Sequence, residues 1–157
     1  MEGEITVDDP RAADVRSLLE RHLAFTAEHS PPEDVHALDV DALVHPAITF
    51  VSYRAADEVL GVGALKDLGA GHGELKSMHT AAAARGRGIA GAIVEHLVAL
   101  ARERGLSRLS LETGTPEAFR PARSLYARLG FVECGPFGDY APSPYSTFMT
   151  LDLGGRS

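Results

Sequence analysis

A chain of 157 residues that is 45% hydrophobic and 24% charged has the composition of an ordinary globular protein, long enough to bury a real core. Its 22 acidic residues outnumber 15 lysines and arginines, for a formal net charge of -7, which argues against a general nucleic-acid-binding surface. Cys134 is the only cysteine, so there is no internal disulfide framework and a reducing compartment fits best.

The first residues, MEGEITVDDP, lack a basic segment followed by an apolar one, and no stretch approaches membrane-spanning length. One soluble, cytoplasmic domain over residues 1–157 is expected. The segment EITV (4–7) reads as a short strand, ended by Asp8, Asp9 and Pro10, which also suit a helix start. From Ala12 to Glu28, Val15, Leu18, Leu19 and Leu23 recur on one face, predicting a helix that SPPED then breaks. A short second helix is predicted over Asp41–Val44. AITFVSYR (47–54) and EVLGVGALKDL (58–68) read as strands, and GAGHG (69–73) is a hairpin signal ahead of the strand GELKSMHT (73–80).

The pattern then changes period. Ile89, Ile93, Val94, Leu97, Val98, Leu100 and Ala101 give a broad apolar face to a helix from Ile89 to Arg104, which Gly105 stops at its C′ position. Arg102 and Arg104 near its end complement the helix dipole. LSRLSLET (106–113) alternates as a strand, and the order strand, helix, strand implies a crossover and a parallel pair beside the antiparallel meander. PARSLYARLG (121–130) is a second short helix between Pro121 and Gly130. FVEC and YSTFMTLDL are final strands separated by the loop GPFGDYAPSP (135–144). The chain is therefore α/β (α+β) in class, a mixed sheet with helices in one layered domain.

RGRGIA (85–90) opens the long helix. Gly86 and Gly88 let the backbone turn sharply and approach a ligand, and the helix behind them offers unpaired N–H groups with a partial positive charge. A phosphate or pyrophosphate suits such an opening. The plainer alternative is a glycine-containing loop with exposed arginines ahead of an ordinary helix. The spacing matches neither a dinucleotide-binding fingerprint nor a Walker A loop.

Arg85, Gly88 and Ala90, with the extra Gly86, match the Gln/Arg-x-x-Gly-x-Gly/Ala pyrophosphate motif of the GCN5-related N-acetyltransferases (GNAT family), and the chain resembles that family. ARSLYARLGF (122–131) resembles the family's second hallmark, a short helix carrying a tyrosine before a Leu-Gly-Phe turn. The resemblance runs from about Glu74 to Tyr140, in the right order; the alanines of AAAA stand where the family often has proline.

The resemblance implies a mostly antiparallel sheet flanked by helices, with a splayed central strand pair, and acetyl-CoA as co-substrate with no metal. It implies that the backbone of Arg85, Gly86, Arg87, Gly88, Ile89 and Ala90 takes the pyrophosphate. The main chain of Met78, His79 and Thr80 would hold the pantetheine arm, with a backbone N–H near Met78 for the oxyanion. Tyr126 would protonate the departing sulfur. The attacking amine must be neutral, so a base is required. Glu74 stands where some members have their base. If no bulge intervenes it alternates in phase with Lys76 and Met78, and His79 points to the other face. Glu112 is a further candidate.

Asp139 and Tyr140 lie in a loop that borders the acceptor pocket in this family, and Glu33, Asp34, His36 and Asp39 lie in another of its usual walls. The expected partner is a small-molecule amine or a free amino group, with neither nucleic acid nor membrane, and homodimers are common in the family. The competing expectation is a non-catalytic acyl-CoA binding or sensing module. Cys134 has no paired base, and the seven histidines show no zinc spacing.

Overall fold

The computed structural model of the chain describes residues 3–29, 43–81, 84–115, 117–138 and 140–154, the side chains of 22–29 excepted. The strands are β1 (Glu4–Val7), β2 (Ile48–Ala55), β3 (Glu58–Gly69), β4 (His72–Thr80), β5 (Arg108–Gly114), β6 (Val132–Cys134) and β7 (Ser146–Asp152). The helices are α1 (Ala13–His29), α2 (Ile89–Glu103) and α3 (Arg120–Arg128), the last preceded by a 3-10 turn at Glu117–Phe119. Pro121 accordingly occupies the second helical position of α3 rather than opening it. The helix expected at Asp41–Val44 lies partly outside the described residues.

The seven strands form one sheet in the order β1-β2-β3-β4-β5-β7-β6. Every neighbouring pair is antiparallel except β4 and β5, which the α2 crossover makes parallel. The β3–β4 hairpin is tighter than GAGHG suggests. Gly69 pairs with His72 across a two-residue turn, Ala70 and Gly71, both at positive φ as a primed turn needs.

Side-chain alternation divides the core between the two faces. On one, Leu65, Leu75, Leu109, Leu111 and Met149 pack under α2 residues Ile89, Ile93, Val94, Leu97 and Ala101, with Tyr126 of α3 and Phe131. On the other, Val15, Leu18 and Leu19 of α1 cover Phe50, Val62 and Ala64. Val15, Leu18 and Leu19 of the stripe predicted for α1 are buried, while the side chain of Leu23 lies outside the described residues; the stripe predicted for α2 is buried as well, with Leu100 only at the margin of its cluster.

Two departures from a regular sheet matter for function. The parallel ladder of β4 and β5 runs from His72↔Arg108 to Leu75↔Leu111 and no further, so the strands separate beyond that point. And β4 carries a bulge: Val62 pairs with His79 and Ala64 with Lys76, leaving two residues, Ser77 and Met78, opposite Gly63. Ser77 holds φ 59 there, a left-handed conformation that a non-glycine residue adopts under strain.

The bulge reverses the alternation downstream of it. Met78 packs with the α2-side cluster, opposite to Glu74, and alternation puts His79 on the Glu74 face. The unbulged phase, with Glu74, Lys76 and Met78 together, is thus corrected. Met78 and α2 leave no room over Gly63: an added Cβ falls 2.6 Å from Met78 Sδ and 2.8 Å from Ile93 Cγ2. Gly63→Ala is expected to destabilise the fold by about 1–3 kcal/mol through overpacking, lowering Tm by several degrees in a thermal melt.

Candidate functional site

The fork between β4 and β5 opens into a cavity of about 650 Å³. Its floor is the separated ends of the two strands, Lys76 to Thr80 and Glu112 to Gly114. One wall comes from the turn before α2 and the first residues of that helix, another from α3, and a third from Tyr140, Tyr145 and Ser146 near β7. Tyr126 reaches the cavity from the α2 side of the sheet and Glu74 from the opposite side. The fork therefore forms one opening lined from both faces of the sheet.

At the cavity's basic end, Arg85 to Gly88 form an exposed turn. Gly88 is the N-cap of α2 at φ 79, without a side-chain cap, and the first turn has no acidic residue. Ala92 donates to the Gly88 carbonyl at 3.0 Å as the first helical bond, so the amides ahead of it belong to the unpaired helix start. Arg85, Gly86, Gly88, Ile89 and Ala90 line the cavity; Arg87 is in the same turn but outside the wall. A helix start of this kind, presenting mainly backbone, suits an anion.

Along the fork, β4 spends one edge on β3, where His79 pairs with Val62 and Thr80 with Gly61. Its other edge, past the end of the β5 ladder at Leu75, faces the cavity through Met78, His79 and Thr80. An extended ligand bearing amide groups can add to such an edge as a strand does.

Tyr126 is 6% exposed and lies edge-on to Phe131 at a centroid distance of 5.8 Å. Phe131 N–H donates to the Tyr126 carbonyl at 3.0 Å, closing α3 at the Leu-Gly-Phe turn, where Gly130 takes φ 103. Burial pushes the Tyr126 phenol up to about 12, so it remains a proton donor throughout the neutral range.

Glu74 is 4% exposed. A carboxylate so deep needs partners. The Tyr140 hydroxyl donates to its Oε2 at 2.6 Å, and Lys76 Nζ lies 3.5 Å from the same oxygen. Burial, followed by the neighbouring Glu74 carboxylate, pushes the Tyr140 phenol well above its ordinary value. Glu112 Oε2 accepts from the Ser146 hydroxyl at 2.7 Å. Both carboxylates line the cavity.

Of the residues singled out from sequence, the structure gathers Tyr126, Glu74, Glu112, Tyr140 and the Met78–Thr80 edge into this one cavity. Asp139, Glu33, Asp34, His36 and Asp39 lie outside the described residues. Lys76 and Ser146 are cavity residues that the sequence reading did not single out; Ser146 reaches Glu112 because β7 pairs with β5. Among the described residues there is no group of three or more His, Cys, Asp or Glu fit to hold a metal ion, and no helix is long and apolar enough to cross a membrane. Burial pushes the Cys134 thiol up, away from the thiolate form that a nucleophile needs.

Comparison with known proteins agrees with this architecture. The model of the Acetyltransferase (GNAT) family matches residues 13–131. The chain is 46% identical over 149 residues to the uncharacterized N-acetyltransferase YsnE of Bacillus subtilis (strain 168), covering 95% of this chain and 99% of that protein. It is 39% identical over 150 residues to a protein of Azospirillum brasilense named IAA acetyltransferase, covering 95% and 97%. A solved acetyltransferase of the GNAT family from Staphylococcus aureus Mu50 superposes with a TM-score of 0.74 at 18% identity, covering 97% of this chain and 99% of that one, a likeness of fold. A family match over most of the chain, joined to the forked sheet and the uncapped glycine turn, places this protein in the GNAT family of acetyltransferases, with acetyl-CoA as its acyl donor.

Proposed function

We propose that the protein transfers the acetyl group of acetyl-CoA to a primary amine, carried by a small molecule or a free amino group, by direct attack of the amine on the thioester. The observation that carries this is the opening in the sheet, with Tyr126 on one side and Glu74 on the other.

In this scheme the amides of the Arg85–Ala90 turn bind the pyrophosphate, and the cavity-facing edge at Met78–Thr80 aligns the pantetheine arm. An N–H near Met78 faces the oxygen that becomes negative in the tetrahedral intermediate. Glu74 takes a proton from the incoming ammonium, leaving a neutral amine to attack. Tyr126 gives its hydroxyl proton to the sulfur as the carbon–sulfur bond breaks; the second proton shed by the nitrogen as the amide forms restores the phenol, and the proton on Glu74 passes to solvent. The products are an amide and coenzyme A thiol.

The test is a panel of amines, amino acids and peptides incubated with acetyl-CoA, reading released thiol. The relative named for IAA adds that compound to the panel. Thiol release with at least one amine is expected, and Glu74→Gln should lower its kcat/KM by about 100-fold, the usual weight of a positioned base. Thermal stabilisation by acetyl-CoA without turnover of any amine would instead identify a binding or sensing module.

A further inference from the structure

We propose that Tyr140 is a positioning residue: its hydroxyl holds the Glu74 carboxylate in the orientation from which Glu74 accepts the proton of the incoming amine. The inference rests on Glu74 being the base.

Glu74 sits on β4 and Tyr140 in the loop between β6 and β7, 66 residues later. Their 2.6 Å contact is a short bond in which the phenol donates to a carboxylate oxygen. Lys76 approaches the same oxygen at 3.5 Å, a longer contact from a flexible stem that supplies charge rather than direction. Both partners therefore occupy Oε2. Among the described residues no hydrogen bond reaches Oε1, which is left to the cavity that Glu74 lines. One oxygen is fixed and the other is presented.

The Tyr140 ring is held independently of its hydroxyl. It packs on Phe148 at 5.7 Å and on Phe137 at 5.2 Å, and Phe137 in turn meets Phe148 at 5.9 Å and His72 at 5.6 Å. The Tyr140 N–H also donates to the Phe137 carbonyl at 3.1 Å. Tyr140→Phe thus removes the grip on Glu74 while the aromatic cluster and the loop remain in place.

The experiment compares wild type, Tyr140→Phe, Glu74→Gln and the double variant with an amine accepted in the panel, measuring kcat, both KM values and Tm. Tyr140→Phe is expected to lower kcat by about tenfold, with KM for acetyl-CoA nearly unchanged and Tm lower by a few degrees, because a buried carboxylate loses one partner. In the Glu74→Gln background the same substitution should change kcat by less than about twofold, because the carboxylate it orients is gone. Equal losses in both backgrounds would show that Tyr140 acts on its own or only supports the loop, and overturn the proposal. Full activity of Tyr140→Phe, with Glu74→Gln impaired, overturns it while leaving Glu74 as base. Wild-type kcat in Glu74→Gln removes the base, and the role of Tyr140 with it. A wild type that turns over no amine ends the functional scheme above, and this proposal falls with it.

Discussion

Tyr126→Phe is expected to lower kcat by about 100-fold and to leave acetyl-CoA binding within about twofold of wild type by calorimetry. The ring packs against Phe131 inside the α2-side core, and Phe preserves that packing; only the hydroxyl is lost. Burial holds the phenol at about 12, whereas a thiol titrates near 8.5, so complete proton transfer to a free thiolate is uphill by about 5 kcal/mol. In the proposed scheme the hydroxyl therefore acts first as a hydrogen-bond donor to charge developing on sulfur, and the proton follows as the bond breaks. The sign of the pH dependence follows from the same shift. Tyr126 is protonated below its raised pKa and loses its donor only as pH climbs toward about 12. An alkaline limb near pH 10 that is present in wild type and absent in Tyr126→Phe would contradict the buried donor. So would an unchanged kcat when chemistry limits the rate.

Gly88→Val should act on the other substrate parameter. Gly88 caps α2 at φ 79, and nothing lies within 4 Å of an added Cβ, so the space is open and the penalty is conformational. A β-branched residue in the left-handed region costs about 1–2 kcal/mol and swings the neighbouring amides out of line. The dissociation constant for acetyl-CoA should then rise by about tenfold or more, while kcat at saturation stays near wild type. Arg87→Ala, which keeps the backbone and alters a side chain outside the cavity wall, should cost less. Calorimetric titration of both variants decides it. Equal losses would assign the pyrophosphate to arginine charge, and an unaffected Gly88→Val would remove the cradle.

Much of the fold is legible locally because its signals are local. The apolar stripe of α2 and the stop at Gly105, at φ 77, follow from 3.6-residue periodicity and from the one residue that adopts that backbone freely. The uncapped turn at Arg85–Gly88 is likewise legible, since glycines and the absence of acids are written in neighbouring positions. The β4 bulge is not. GELKSMHT sets its apolar Leu75 and Met78 three apart, out of phase for a regular strand, but one odd spacing does not say where a bulge falls; the register against β3 does, where Gly63 leaves space for Met78 to turn inward. The phase of Met78 and His79 is consequently a tertiary property, set by packing under α2 rather than by the strand's own pattern.

The same division runs through the site. The sequence by itself determined the order of elements, the parallel crossover, the glycine turn that opens α2 and the tyrosine of α3, because each depends on residues within a few turns of one another. Only the tertiary structure decided where the sheet splits, that Tyr126 and Glu74 approach the split from opposite faces, and that Tyr140 and Ser146 hold the two carboxylates. Those facts join residues 34 and 66 positions apart through strand pairing and a loop packed over the sheet. No periodicity or spacing along the chain encodes a hydrogen bond between side chains that only the folded sheet brings within reach.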